Sequence, residues 1–342
     1  MTQTLPARFE DEAHLDDILS APDPAIAADL ATVPGDIMVV GVAGKMGPTL
    51  ARMARRALPG RRVIGVARFS DPGQRAALEA AGIETIRADL LDRDQVAALP
   101  RVPNVVFMAG RKFGSSGSEE LTWAMNAHVP ALVAEHFRAS RIVAFSTICV
   151  YPFATVAHGG PREDAVLSPP GEYAMSCVAR ERMFQHFSRV HGTAGALIRL
   201  SYAIDMRYGV LHDLGRKVLQ GVPIDVTMGH VNVIWQGDAC AQALRALAHV
   251  AVPSAPINVS GPEIVSIRWL AHEFARRFGV GLTIEGDEAP TAWIANCARA
   301  AHLFGYPKVP LERLIDWQAD WLARGMGSLG KATHFETRSG DY

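Results

Sequence analysis

The stretch Ile37-Met38-Val39-Val40-Gly41-Val42-Ala43-Gly44-Lys45-Met46-Gly47 decides how this chain is read. Its first four residues are a continuous apolar run, the pattern of a strand buried on both faces. Three glycines follow at a spacing of three, and Thr49 to Leu58 then shows helical periodicity. One glycine permits a tight turn, another lets the backbone approach a pyrophosphate, and the third lets the helix pack close to the strand. The amides of such a turn and the positive end of the helix face an anion. The flanking strand and helix give these glycines the context of a nucleotide-binding turn rather than a plain one. No G-K-[ST] closes the segment, so it is not a P-loop.

Outward from this turn, apolar runs recur at Arg62 to Ala67, Val105 to Met108, Ile142 to Phe145 and Ala196 to Leu200. Helical stretches separate them at Gln74 to Ala81, Asp94 to Leu99, Leu121 to Phe137 and Tyr173 to Val190. Strands alternating with helices predict an α/β fold with a doubly wound parallel sheet. After Leu200 the regularity weakens. Helices are expected at Leu211 to Gln220, Asp238 to Val250 and Ile267 to Phe278 (the last capped by Ser266), with a strand at Ile257 to Val259. The expected organisation is an acidic, partly helical leader over 1–34, a dinucleotide-binding domain over 35–200 and a smaller substrate-binding region over 201–330. Segments near 231–262 return to the sheet, and 331–342 is a tail.

Composition narrows the class. The 342 residues are 49% hydrophobic and 20% charged with a formal net charge of −1. That length buries a sizeable core, and the neutral balance gives no electrostatic reason to expect a nucleic acid or an anionic membrane as partner. Cys149, Cys177, Cys240 and Cys297 are widely spaced with no C-x-x-C pair, which argues against a zinc site or disulfide framework and fits a reducing cytoplasm. No signal-peptide pattern and no membrane-spanning apolar run is present. The histidines lack metal-ligand spacing, so no metal site is expected.

At the end of the second strand, Val66-Ala67-Arg68 carries no carboxylate for a ribose 2′-hydroxyl, whereas Arg68 and Lys45 are suited to a 2′-phosphate. NADP is therefore favoured over NAD. Further motifs come in a fixed order: Ala88-Asp89-Leu90-Leu91-Asp92, then Asn104-Val105-Val106-Phe107-Met108-Ala109-Gly110, then Asn126 within Met125-Asn126-Ala127. Phe145-Ser146-Thr147-Ile148-Cys149-Val150-Tyr151, Tyr173 after Pro169-Pro170-Gly171-Glu172, and Arg199-Leu200-Ser201-Tyr202-Ala203 complete the series.

From about Asp36 to Trp321 the sequence resembles the extended short-chain dehydrogenase/reductase family, which includes NAD-dependent epimerases and dehydratases of nucleotide sugars. The resemblance implies a Rossmann fold. It implies that Gly41, Gly44, Lys45, Met46, Gly47, Arg68, Asp89, Leu90, Met108, Ala109, Gly110, Asn126, Tyr173, Ser201 and Ala203 surround the cofactor. Thr147 matches the catalytic hydroxyl and Tyr173 the catalytic tyrosine.

The departure lies four residues on. The family motif is Y-x-x-x-K, but Tyr173-Ala174-Met175-Ser176-Cys177 ends in cysteine. Spacing of four puts both side chains on one helix face. A free tyrosine has a pKa of about 10, and lowering it by about 3 units needs about 4 kcal/mol of differential stabilisation, which a neutral thiol does not supply. Three explanations stay open. Another cation, Lys112 with Arg111 beside it, replaces the lysine; or Tyr173 acts only as an acid or hydrogen-bond donor; or the site is redox-dead and the chain is an NADP-binding sensor or interaction protein. Cys177 itself reads as a packing residue or, alternatively, a nucleophile.

On the substrate side, Arg207, Tyr208, His230, Asn232 and Trp235 are candidate contacts, and His158, His212 and His230 are candidate acid/base groups. By resemblance, the helices Leu121 to Phe137 and Tyr173 to Val190 are expected to form a homodimer. The function expected is that of an NAD(P)-dependent oxidoreductase, or an epimerase/dehydratase that retains its cofactor, acting on a hydroxylated, carbohydrate-like small molecule.

Overall fold

The computed structural model describes residues 5–340, apart from 113, 115 and 116. One sheet contains β1 (Ile37–Val40), β2 (Val63–Ala67), β3 (Glu84–Arg87), β4 (Asn104–Phe107), β5 (Arg141–Thr147), β6 (Gly195–Leu200) and β7 (Ala255–Val259). All pair in parallel, in the order β7-β6-β5-β4-β1-β2-β3. The order reverses between β1 and β4, and a crevice opens at the carboxyl ends of strands at such a switch point.

Two leader helices, α1 (Glu12–Leu19) and α2 (Pro24–Ala31), precede the sheet. The crossovers are α3 (Gly47–Ala57), α4 (Pro72–Ala80), α5 (Arg93–Ala97), the pair α6 (Glu119–Trp123) and α7 (Val129–His136), and α8 (Glu172–His191). Beyond the sixth strand come α9 (Val210–Leu219), α10 (Gln236–Arg245), α11 (Ile267–Phe278), α12 (Ala298–Phe304) and α13 (Leu311–Ala323). Every residue of β1, β2 and β4 is buried, which is why these strands are written as near-continuous apolar runs; the polar exception, Asn104 of β4, donates to the Pro34 carbonyl at 2.9 Å. β3 is one of the two edge strands, and its Glu-Thr-Ile-Arg sequence is only half-buried at best, so apolar patterning does not reveal it. The Ser266 hydroxyl accepts from the Trp269 amide and caps α11 as expected.

The helix expected over 121–137 is interrupted by a π turn at Ala124–His128. Pro130 lies four residues past Asn126 and has no N–H to return to its carbonyl. The leader is built into the molecule. Leu15 and Leu19 of α1 join Trp235, Trp317 and Trp321 in the C-terminal core, whereas Ile26 and Leu30 of α2 pack in the core on one face of the sheet. Pro24 opens α2 at a position where no intrahelical N–H is needed. Among the described residues no helix is long and apolar enough to cross a membrane.

A buried ion pair ties α8 to the sheet. Arg199 on β6 is 3% exposed and donates from Nε and Nη2 to both carboxylate oxygens of the fully buried Glu181, at 2.9 and 2.7 Å. The Ser146 hydroxyl donates to Glu181 at 2.6 Å, and Arg199 donates to the Tyr151 hydroxyl at 2.6 Å and the Glu163 carbonyl at 3.0 Å. Tyr151 in turn donates to Asn258 on β7 at 2.8 Å. Both carboxylate oxygens find a donor, which helps to hold the charge in the interior. Arg199→Ala leaves the Glu181 carboxylate buried without its cation, and urea unfolding is expected to show a loss of about 3–5 kcal/mol. A loss within experimental error would contradict this account of the pair.

Candidate active site

The glycine turn closes against β4. Gly41 has φ +90°, and its amide donates to the Val66 carbonyl at 2.8 Å. A Cβ placed there would lie 2.6 Å from the Ala109 amide nitrogen, so only glycine permits this approach. Above the turn, two joined cavities line the carboxyl ends of the strands. The smaller, about 330 Å³, is walled by Gly41, Gly44, Arg68, Asp71, Asp89, Leu90, Met108, Ala109 and Gly110 among others. The larger, about 800 Å³, shares Gly41, Gly44, Asp71, Met108 and Gly110 with it and adds Lys45, Met46, Gly47, Lys112, Thr147, Tyr173, Ser201, Ala203 and Tyr208. The donor set suits a dinucleotide: backbone amides for the pyrophosphate, Asp89 and Leu90 at one end, Thr147 and Tyr173 at the other.

Lys45 does not stand with Arg68. Its Nζ donates to the Ala203 carbonyl at 3.3 Å and lies 3.8 Å from the centroid of the Tyr208 ring, on the Tyr173 side of the cleft. Burial pulls its pKa down to about 8, against the opposing charge of Asp205. The residue beside Arg68 in an outer cavity of about 530 Å³ is instead Arg87, with Ser70 and Asp89.

Tyr173 sits in the first turn of α8, facing the larger cavity, with the fully buried Cys177 one turn along. Burial pushes the Tyr173 hydroxyl well above the ordinary phenol range, and the Cys177 and Cys149 sulfurs push it further. Arg180 pulls in the opposite direction. The Cys177 thiol is also raised by burial, so it is a neutral partner to which Tyr173 donates. A neutral, enclosed thiol does not fit a nucleophile. Lys112 comes to the site from the loop after β4: its Nζ is 5.9 Å from the Tyr173 ring centroid. Thr147, at the end of β5, accepts from the Cys149 amide at 3.1 Å. The pocket therefore brings together a protonated phenol, a hydroxyl and a lysine, a set that can donate a proton to a substrate oxygen and orient it.

Arg180 is the residue that sequence reasoning missed beneath this site. It is two turns from Tyr173 on the same helix face and donates to the Phe145 carbonyl at 3.0 Å and to Asn126 at 2.5 Å. Asn126 is fully buried and also exchanges hydrogen bonds with the Arg111 backbone at 2.9 and 2.8 Å. It positions the loop that carries Lys112 and does not line either cavity.

Several expected substrate contacts stand elsewhere. Arg207 is held by Asp205 and Asp16, at 2.9 and 2.8 Å. Asn232 is buried, donating to the Glu263 carbonyl at 2.9 Å and accepting from the Ala295 amide at 2.9 Å. Trp235 stacks on Phe9 in the C-terminal core. His230 pairs with Ser266 in a short antiparallel ladder, with Glu288 nearby. His212 is buried against the Met206 carbonyl, and His158 is exposed. Of the expected substrate contacts, Tyr208 reaches the cleft. Unexpectedly, so do Leu329, Lys331 and Thr333 of the C-terminal segment, which has no periodicity to announce it.

No family model and no curated protein matches the sequence. Solved structures do. A UDP-glucuronic acid 4-epimerase from Bacillus cereus, in complex with UDP-glucuronic acid and NAD, is 20% identical with a TM-score of 0.69, covering 84% of this chain and 99% of its own. A UDP-glucose 4-epimerase from Thermus thermophilus with NAD is 17% identical with a TM-score of 0.68, covering 83% and 98%. A third, from Thermotoga maritima with UDP-glucose, is 15% identical with a TM-score of 0.67, covering 85% and 99%. These likenesses show the fold. The chain has the Rossmann α/β architecture of those epimerases, as its sequence leads one to expect.

Because burial and two sulfurs hold the Tyr173 proton, the phenol stays neutral and able to donate through the whole range from pH 5 to pH 9. The ultraviolet difference between wild type and Tyr173→Phe is expected to show no phenolate below about pH 10. A phenolate signal appearing near neutral pH would contradict it.

Proposed function

We propose that the chain is an NAD(P)-dependent oxidoreductase, or an epimerase/dehydratase that retains its cofactor, acting on a hydroxylated, carbohydrate-like small molecule. The observation that carries this reading is the single cleft shared by the glycine turn, Thr147 and Tyr173. The named epimerases of the same fold, which hold NAD and UDP-sugars, support it. A bound nicotinamide would supply hydride transfer.

The chain's own part is proton handling and orientation. Thr147 binds the reacting oxygen, Tyr173 donates its proton as a neutral acid, and Lys112 places positive charge at the tyrosine ring. Ser201 and Ala203 border the nicotinamide end, and Asp89 and Leu90 the adenine end. NADP is favoured over NAD through Arg68 and Arg87, which flank the outer cavity beyond the ribose position. Asp71, at the join of the two cavities, is the carboxylate that competes for a 2′-hydroxyl. We assign the protein to the cytoplasm and to a homodimer through α6, α7 and α8, whose exposed Trp123 and Met175 offer an apolar contact. The second reading, an NADP-binding sensor, is favoured by one observation: the fully buried Cys177 at the position where the family carries lysine.

The test is NADPH-dependent reduction of a panel of keto and aldehyde sugars and sugar acids, in which hydride adds to the carbonyl carbon and the Tyr173 proton goes to its oxygen, followed as loss of absorbance at 340 nm. Tyr173→Phe is expected to lower kcat by about 10²–10⁴ with cofactor affinity unchanged. Arg68→Ala is expected to weaken NADPH more than NADH. Turnover that survives Tyr173→Phe, or equal weakening of both cofactors, would contradict these assignments; a full panel without turnover would favour the sensor.

A further inference from the structure

The chain has five lysines against twenty-nine arginines. Two of the five are in ion pairs on the outside of the molecule, Lys217 with Glu336 and Lys308 with Asp23. The other three, Lys45, Lys112 and Lys331, all line the larger cavity. The one carboxylate in that lining is Asp71, which also lines the smaller cavity and so belongs to the cofactor end. The substrate end thus gathers three ammonium groups with no carboxylate among its lining residues, the Asp205 charge behind the wall opposing that of Lys45. The same wall carries the hydroxyls of Thr147, Tyr173, Tyr208 and Thr333.

Lys331 arrives on a strap. The Leu329 amide donates to the Arg207 carbonyl at 3.0 Å, and both the amide and hydroxyl of Thr333 donate to Asp213 on α9 at 2.7 Å. Phe335 is buried in the C-terminal core. Arg338 then lies 4.2 Å over the Phe153 ring and donates to the Thr291 carbonyl at 2.8 Å, and Gly340 packs against Gly171, two residues before Tyr173. The segment therefore bridges the start of α9, where Tyr208 stands, to the start of α8, where Tyr173 stands. It spans the substrate end of the cleft, and the nicotinamide half of the cofactor must share the cavity of about 800 Å³ with the substrate.

We propose that the substrate is a compact hydroxylated anion without a nucleotide handle, whose carboxylate or phosphate is gripped by Lys331 of the strap together with Lys45. Lysine suits this role as a compact point charge that follows a small anion, where arginine would impose a planar fork. Lys112, nearer Tyr173, faces the reacting end. The proposal rests on the function proposed above but is read out separately.

The experiment is calorimetric titration of the full chain, with and without saturating NADPH, using D-gluconate, glucose 6-phosphate, glucose and UDP-glucose as probes. A charge-assisted contact predicts that gluconate or glucose 6-phosphate binds at least about tenfold more tightly than glucose. Whichever of the two wins tells carboxylate from phosphate. Lys331→Ala is expected to remove most of that advantage, Lys331→Arg to restore part of it, and neither to move the NADPH affinity. Glucose binding as well as the anions, no binding of either anion, an anion affinity untouched by Lys331→Ala, or UDP-glucose binding as tightly as the anions would each overturn the proposal. Failure of NADPH to bind would instead count against the function proposed above, while the titrations without cofactor still test the lysines.

Discussion

The cleft depends on one close approach, that of the β1 end to the β4 end. With no side chain at Gly41, the backbone of the turn lies directly on Met108 and Ala109, and the crevice between the two halves of the sheet opens above it. The second wall is fixed just as tightly. The Arg180 guanidinium occupies the space beside Gly110 that a larger residue would need, and it reaches Asn126 and the Phe145 carbonyl from there. One buried cation thus locks α8, the π turn and the loop after β4 into a single unit. Tyr173, Lys112 and the glycine turn keep their relative positions because of it.

That arrangement explains how the site tolerates cysteine where its relatives by resemblance carry lysine. A lysine one turn from the tyrosine would favour phenolate and make a base. Here the neighbours are two buried sulfurs and a low-dielectric wall, all of which favour the phenol, with Arg180 as the moderating charge. The local physics selects an acid. Positive charge on the cleft wall comes from other elements, the loop after β4 and the glycine turn, and burial of Lys45 there draws its pKa down to about 8.

The sheet was legible in the sequence because its strands are covered on both faces, which forces apolar runs such as Ile37 to Val40. β3 escaped notice because an edge strand is free to be polar. Thr147 and Tyr173 were legible only through the family resemblance, and Lys112 only as a candidate cation in the loop after β4; all three line the larger cavity. The substrate side was not legible in the same way. Trp235 and Asn232 lie near the cleft in sequence order, yet their side chains complete packing and hydrogen bonds formed with residues far along the chain, Phe9 and Ala295. Conversely, nothing in the polar run Lys331-Ala332-Thr333-His334 announces a cleft wall. Its place is set by Asp213 and by Phe335 sinking into a core assembled from three separate regions.

The central claim is that the paired cavities hold a nicotinamide dinucleotide with its pyrophosphate on the glycine turn. Fluorescence titration of the purified protein with NADPH, beside a Gly44→Glu variant that sets a carboxylate at the exposed middle of the turn, tests it most directly. The account predicts saturable binding at one site per chain, lost or weakened at least about a hundredfold in the variant through charge repulsion and blocked approach. Binding that is absent in the wild type for both NADPH and NADH, or undiminished in Gly44→Glu, would contradict it.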